Sequence, residues 1–297
     1  MTEAGGKRIP EVTVVMPTHD RAHTLARAVD SVRLQEGVDW ELVVADDGSL
    51  DDTLAMLAPY LSDPRIRVIR LPHGGVSAAR NAAVAVGMGA YLAFLDSDDE
   101  WLPGMLAAQM GFLKATGMGI VQSEDIWIRK GVRVNPPAHY LKKEGDIFAE
   151  SLDYCMITPS SVMMTRELFE ATGGFRTDFP ACEDYELWLR ITSRHPVGLI
   201  RRQLLKRYGG NPDQLSTRYP AQDRFRIRAI ALLLEDTGLA PARRGLALAA
   251  LGRKLDIYEK GCRRRGKTED LAWCRELKSK FWENPENHLR MQGERLL

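Results

Sequence analysis

Four short apolar runs stand at nearly even spacing in the first hundred residues: VTVVMP (12–17), WELVVAD (40–46), IRVIRL (66–71) and AYLAFLD (90–96). They are close to continuous in Val, Ile, Leu, Ala and aromatics, as expected for strands covered on both faces. Helical patterns fill the gaps at roughly 22–35, 51–61 and 76–87. The first puts Leu25, Val29 and Val32 on one face, the second opens at Asp51-Asp52, and the third is Ala-rich and ends at Gly87. Strand–helix alternation of this kind predicts right-handed βαβ units in an α/β fold with a mostly parallel sheet. Ligands of such sheets bind beyond the carboxyl ends of the strands.

The polar residues of the N-terminal half collect at those ends. Strand one runs into Pro17-Thr18-His19-Asp20-Arg21, strand two into Asp46-Asp47-Gly48-Ser49, and strand four into Asp96-Ser97-Asp98-Asp99. Each cluster alone has an ordinary explanation. An Asp51 cap accounts for the second, and a cap by Asp99 or Glu100 on a helix opened by Pro103 accounts for part of the third. That cap leaves Asp96 and Asp98 unexplained. Two aspartates one residue apart on a turn can both aim at one hard cation, Mg2+ or Mn2+, with phosphate oxygens completing the shell. Three clusters on one rim describe a pocket, with His19 on the rim and His73 beside the Gly74-Gly75 pair.

Two further segments carry chemistry. Gly74-Gly75 permit close backbone approach to a ligand, and Arg80 on the following helix can neutralise phosphate. In ACEDYELWLR, Glu183 and Asp184 fall at a helix start, where the dipole keeps a carboxylate ionised and suited to general-base work. The intervening chain predicts a helix after Pro103, a strand pair turning at Lys130-Gly131, a short helix near 147–153 and a strand at SSVMMT. A loop, KRYGGNPDQLSTRYP, follows. From 221 the pattern is helical only, with Leu248, Leu251, Leu255 and Tyr258 on one face and Leu271, Cys274, Leu277 and Phe281 on another, separated by the turn GCRRRGK. The expected division is therefore 1–220 and a helical extension, 221–297.

Charge divides at nearly the same place. Residues 1–200 carry 19 Lys and Arg against 28 Asp and Glu, whereas residues 201–297 carry 22 against 12. The basic part either faces something anionic, such as a membrane surface, or pairs with the acidic part. No apolar run approaches bilayer-spanning length, and the N-terminus has no signal-peptide core. The four cysteines show neither CxxC pairing nor metal-ligand spacing, which predicts reduced thiols and a cytoplasmic location. Nothing in the pattern fits nucleic-acid binding.

Five segments in order resemble the family 2 glycosyltransferases: VTVVMPTHDR, VVADDGSLDDT, GGVSAARNAA, YLAFLDSDDEWLP and GGFRTDFPACEDYELWLR. The resemblance runs from Val12 to about Ser216. It implies the GT-A fold and an inverting, Mn2+- or Mg2+-dependent transfer from a nucleoside-diphosphate sugar. By the same resemblance Asp47 accepts from the nucleotide base, with a UDP-sugar favoured, and Pro17, Thr18, Asp20 and Arg21 line that pocket. Arg80 and Ser97 sit near the nucleotide, Asp96 meets ribose or metal, and Asp98 binds the metal. Asp184 is the catalytic base, and Glu183 supports it or contacts the acceptor. The loop Gly209–Ser216 falls where relatives close over the diphosphate, often with a histidine; here Asn211 stands there. The resemblance further implies a glycan or lipid-linked acceptor of bacterial surface polysaccharide synthesis and a place in the cytoplasm at the inner membrane face.

The alternatives fare worse. A sugar nucleotidyltransferase or a dinucleotide oxidoreductase needs a glycine-rich turn after strand one, and PTHDRAHTL has none. A haloacid-dehalogenase-like phosphatase has its paired aspartates after an early strand, with a Thr two residues on. A non-catalytic nucleotide-sugar-binding protein has no need of Asp96, Asp98 and Asp184 together.

Overall fold

A computed structural model of the chain describes residues 9–210, 219 and 222–283. The four expected strands form: β1 (Val12–Thr18), β2 (Trp40–Asp46), β3 (Ile66–Arg70) and β4 (Tyr91–Phe94). They are mutually parallel, and every residue of β1 and β2 is buried. Helices α1 (Leu25–Arg33), α2 (Thr53–Leu57) and α3 (Val76–Val86) make the crossovers. The helix expected over 51–61 breaks after Leu57 into a 3-10 turn, Ala58–Ser62, with Pro59 at its start. Proline cannot supply the amide that an α-helix needs there.

Beyond β4 the chain forms β5 (Glu100–Trp101), α4 (Met105–Thr116), the hairpin β6 (Ile120–Arg129) and β7 (Val132–Val134), α5 (Phe148–Asp153), β8 (Val162–Thr165), α6 (Arg166–Ala171), α7 (Glu183–Thr192) and β9 (Gly198–Gly209). The sheet order is β3-β2-β1-β4-β8-β6-β9-β5, with β7 on β6. The hairpin turns where expected, with Lys130 and Gly131 both at positive φ.

Strand β9 corrects the sequence reading, which begins a loop at Lys206. Lys206 to Gly209 pair in register with Ile126 to Arg129, and Lys206 also pairs with Glu100. Bonding to partners on both sides outweighs a composition of Arg, Lys and Gln that alone reads as loop. The same pairing removes the expected helix cap. Glu100 is in a strand, and Gly104, in the left-handed region, occupies the cap of α4.

The helical extension contains α8 (Asp223–Glu235), α9 (Pro241–Arg264) and α10 (Thr268–Lys278). Their apolar faces, with Leu251, Leu255, Tyr258, Cys274, Leu277 and Phe281 buried, share one core with Phe148, Leu152, Tyr185 and Leu189 of α5 and α7. Helix α9 runs to Arg264, so the expected turn begins later, near Gly266. Part of the charge split is spent across this boundary: Arg228 pairs with Asp178 at 2.5 Å, Arg243 with Asp146 at 2.7 Å and Arg253 with Asp153 at 3.0 Å.

Candidate active site

A cavity of about 950 Å³ opens along the carboxyl ends of β1, β2 and β4. Of the expected donor-side residues, Pro17, Thr18, Asp20, Arg21, Asp47, Arg80, Asp96, Ser97 and Asp98 all line it. Three lining side chains carry buried polar atoms with no hydrogen-bond partner among the described residues: Thr18 Oγ1, Ser77 Oγ and Arg80 Nε. Buried polar groups are rarely left so, and a polar ligand would satisfy them.

Asp47 is held firmly. Its carboxylate accepts from the Gly74 and Gly75 amides at 2.7 and 2.9 Å, which anchors the turn into α3. Gly75 takes φ 88°, which favours glycine. The stacked His19 and His73 rings, 4.3 Å apart, both point Nδ1 at the Asp47 carbonyl oxygen, at 2.9 and 3.1 Å. A carbonyl only accepts, so both Nδ1 atoms carry protons and donate. His19, Asp47 and His73 also each offer one potential ligand atom within 4.8 Å of the others. Asp20, at φ 51°, joins the two rim loops: its amide donates to Ser49 and its Oδ1 accepts from Leu50.

The third cluster is electrostatically tense. Asp99 is buried, and its Oδ1 accepts from the Tyr208 amide at 2.9 Å. Burial, then the charges of Asp98 and Asp96, push its carboxyl well above the usual range. Asp96 and Asp98 are only half-buried and line the cavity. The Asp96 amide donates to Ser160, and the Asp98 carbonyl accepts from Arg27 at 2.6 Å.

Arg80 connects this cluster to Glu183 at the start of α7. Its side chain is 4% exposed and donates to Asp96 Oδ1 and Glu183 Oε1, both at 2.7 Å. Burial disfavours its charge, but Asp96 and Glu183 outweigh burial and push its pKa up. Glu183 shifts up through burial and the neighbouring Asp184, with Arg80 opposing. Asp184 is half-buried; its Oδ1 accepts from the Tyr185 amide at 2.7 Å and its Oδ2 from the Cys155 thiol at 3.4 Å. Neither Glu183 nor Asp184 is among the residues lining the main cavity. Both open α7, after Cys182 at φ 60°, and Glu183 meets Arg80.

The sequence reading missed Arg129, Arg207 and Tyr208, which line the cavity from β6 and β9. The available signal was the apolar content of VGLIRRQLLKRY, bounded by His195-Pro196 and Gly209-Gly210. Asn211, expected at the diphosphate loop, lies outside the described residues.

Residues 13–173, more than half of the chain, match the glycosyl transferase family 2 model. The chain belongs to that family. An uncharacterized glycosyltransferase of Rickettsia felis is 29% identical over 196 residues, 66% of this chain but only 32% of that protein. The UDP-Glc:alpha-D-GlcNAc-diphosphoundecaprenol beta-1,3-glucosyltransferase WfgD of Escherichia coli is 29% identical over 190 residues, covering 64% of this chain and 72% of WfgD. Among solved structures, S. aureus TarS 1-349 in complex with UDP-GlcNAc superposes with a TM-score of 0.69 at 19% identity, over 82% of this chain and 72% of that one. That likeness establishes the GT-A fold for this family 2 chain. No helix among the described residues is long and apolar enough to cross a membrane.

Proposed function

We propose that the protein is an inverting glycosyltransferase that moves a sugar from a nucleoside diphosphate, UDP favoured, to a hydroxyl of a glycan or lipid-linked acceptor in bacterial surface polysaccharide synthesis. Residues 1–220 form the catalytic part and 221–297 the extension. The observation that carries this reading is the Arg80 bridge. One buried guanidinium ties the carboxylate cluster at a cavity rim to the Glu183-Asp184 pair, in a chain of family 2. WfgD, by its name, uses UDP-Glc and a diphosphoundecaprenol-linked sugar, which supports both choices of substrate class.

The residues divide the work. Asp47 uses two of its lone-pair sites on Gly74 and Gly75 and retains others for a uracil N3–H. Asp96, Asp98 and Asp99 fit Mn2+ or Mg2+, since their donors are hard oxygens and a cation relieves the repulsion that, after burial, pushes the Asp99 carboxyl up. Asp98 with Asp96 would hold the ion, which when bound draws charge off the leaving diphosphate. The His19–Asp47–His73 group is the poorer fit, because both Nδ1 atoms engage the Asp47 carbonyl and the carboxylate already accepts from Gly74 and Gly75. Asp184, steadied by the Tyr185 amide, accepts the proton of the acceptor hydroxyl. That oxygen attacks the anomeric carbon opposite the diphosphate, and one displacement inverts the configuration.

A thermal-shift panel of UDP-, GDP-, dTDP- and ADP-sugars, with and without Mn2+, tests the donor reading. UDP-sugars should stabilise the protein most, and Asp98→Ala should lose the Mn2+-dependent part of the shift. Equal shifts with ADP-sugars would remove the uracil assignment; no shift with any nucleotide would remove the function.

We also propose peripheral attachment to an anionic membrane through basic residues that the acidic part leaves over, including Arg264 and Arg265, exposed at the end of α9. Flotation with anionic vesicles should carry the protein at low salt and lose it at high salt, since exposed charges are screened over about 10 Å at 0.1 M. Absence from the lipid fraction at low salt contradicts the proposal.

A further inference from the structure

The helical extension places two cations beside the base segment, and the transfer chemistry described above uses neither. Arg226 lies in the first turn of α8. Its Nε is buried with no hydrogen-bond partner among the described residues, and the nearest acid is Asp223, half exposed and 3.6 Å away. The guanidinium stands 5.9 Å from the ring of Tyr185, the residue after Asp184. It also reaches the thiols on either side of that base: Cys155, which donates to Asp184, through its charge, and Cys182, at the cap of α7, through its charge and a side-chain hydrogen bond. Burial pushes Cys182 up to about 12 and Cys155 up as well. Both are therefore neutral near pH 7 and cannot balance Arg226.

Lys254 of α9 is the second cation. Its Nζ donates to the main-chain oxygen of Asp153 at 3.2 Å, two residues before Cys155. Burial, then the like charge of Arg226, pull its pKa down. Asp223 and Asp153 offset part of this, and two like charges in one partly buried corner leave a place for a further anion. An aromatic wall adjoins the corner: His139, Tyr140 and Tyr154 pack with ring centroids 4.6–5.7 Å apart, and Tyr154 is 38% exposed. An amphipathic ring wall beside a guanidinium suits a sugar ring carrying an anionic group.

We propose that Arg226 and Lys254 form an acceptor subsite that binds a phosphate group attached to the acceptor sugar, so that the extension completes the active site. This rests on the glycosyltransferase reading above and adds the acceptor's chemical class. A guanidinium recognises phosphate by paired N–H donors, and Arg226 has the unspent donor to offer. The phosphate belongs either to a free sugar phosphate or to a lipid-linked sugar, two sources of one chemistry.

Calorimetric titration of inorganic phosphate into the full chain saturated with UDP tests the subsite. Wild type should show one phosphate site outside the donor cavity. Arg226→Gln and Lys254→Gln should each weaken it roughly tenfold, the scale of one lost hydrogen bond to a charged group, whereas Arg226→Lys should retain much of the affinity. Thermal melting checks that each variant is folded; if Arg226→Gln is not, Lys254→Gln with Arg226→Lys decides. Glucose 1-phosphate and an alkyl-diphosphate-linked glucose then distinguish the two sources by which binds more tightly. No phosphate binding by wild type, or binding unchanged in the folded neutral variants, overturns the proposal. Failure of UDP to bind counts against the donor reading instead; the phosphate titration then runs on the free protein, where dependence on Arg226 and Lys254 still decides.

Discussion

Glu183 and Asp184 are adjacent carboxylates whose surroundings give them different tasks. Glu183 is enclosed, with its side chain 7% exposed and Arg80 at 2.7 Å. A carboxylate in that pairing holds an arginine in place and is poorly placed to take a proton from substrate. Asp184 is half-buried, with one oxygen fixed by a main-chain amide and the other met only by a thiol, a weak donor. Asp184→Asn should therefore keep UDP affinity while turnover falls by roughly 10²–10⁴-fold, the usual worth of a general base. Glu183→Gln should show its main effect in stability, on the order of 3 kcal/mol as a buried ion pair is broken, tempered by the Asp96 contact that Arg80 retains. Steady-state kinetics, calorimetry and urea unfolding on both variants separate the two roles. Normal turnover in Asp184→Asn with a dead but stable Glu183→Gln reverses the assignment.

At the scale of elements, the parallel half of the sheet was legible because apolar runs covered on both faces leave a strong pattern, and the acid clusters followed from where those strands end. The end of strand β9 was not legible: Lys206 and Arg207 look like loop, and pairing with β6, and for Lys206 also with β5, makes them strand, while Arg201 and Arg202 fall at a register shift. Nor could the sequence show that Arg80 joins Asp96 to Glu183, 103 positions away from it, since that contact exists only once α3 and α7 pack. Another hidden link is Lys142. Its buried Nζ reaches Ser161 at 2.5 Å and Asp125 at 3.7 Å, tying the segment after β7 to the turn before β8. Ser160 in that turn supports Asp96. Burial, partly offset by Asp125, lowers the Lys142 pKa to about 8. Between about pH 8 and the unfolded value near 10.5 the unfolded chain holds the extra proton, so this group's contribution to stability rises with pH across that window. Wild type should therefore gain on Lys142→Met by about 2–3 kcal/mol from pH 7.5 to 10, measured by urea unfolding. A constant difference between the two proteins would show that the lysine does not titrate there.

Across the whole molecule, the acidic sheet part and the basic helical segment share a core and four ion pairs among the described residues, so the extension is packed against α7 rather than trailing from it. The proposed mechanism has the acceptor hydroxyl attack the anomeric carbon from the face opposite the leaving diphosphate. That opposition is the central claim, and the stereochemistry of transfer tests it most directly. Real-time proton NMR can follow the slow transfer to water from the α-linked UDP-sugar that binds best, before the released sugar mutarotates. Inversion predicts the β-anomer first, with the signal abolished in Asp184→Asn. Release of the α-anomer first would contradict single displacement and with it the role given to Asp184.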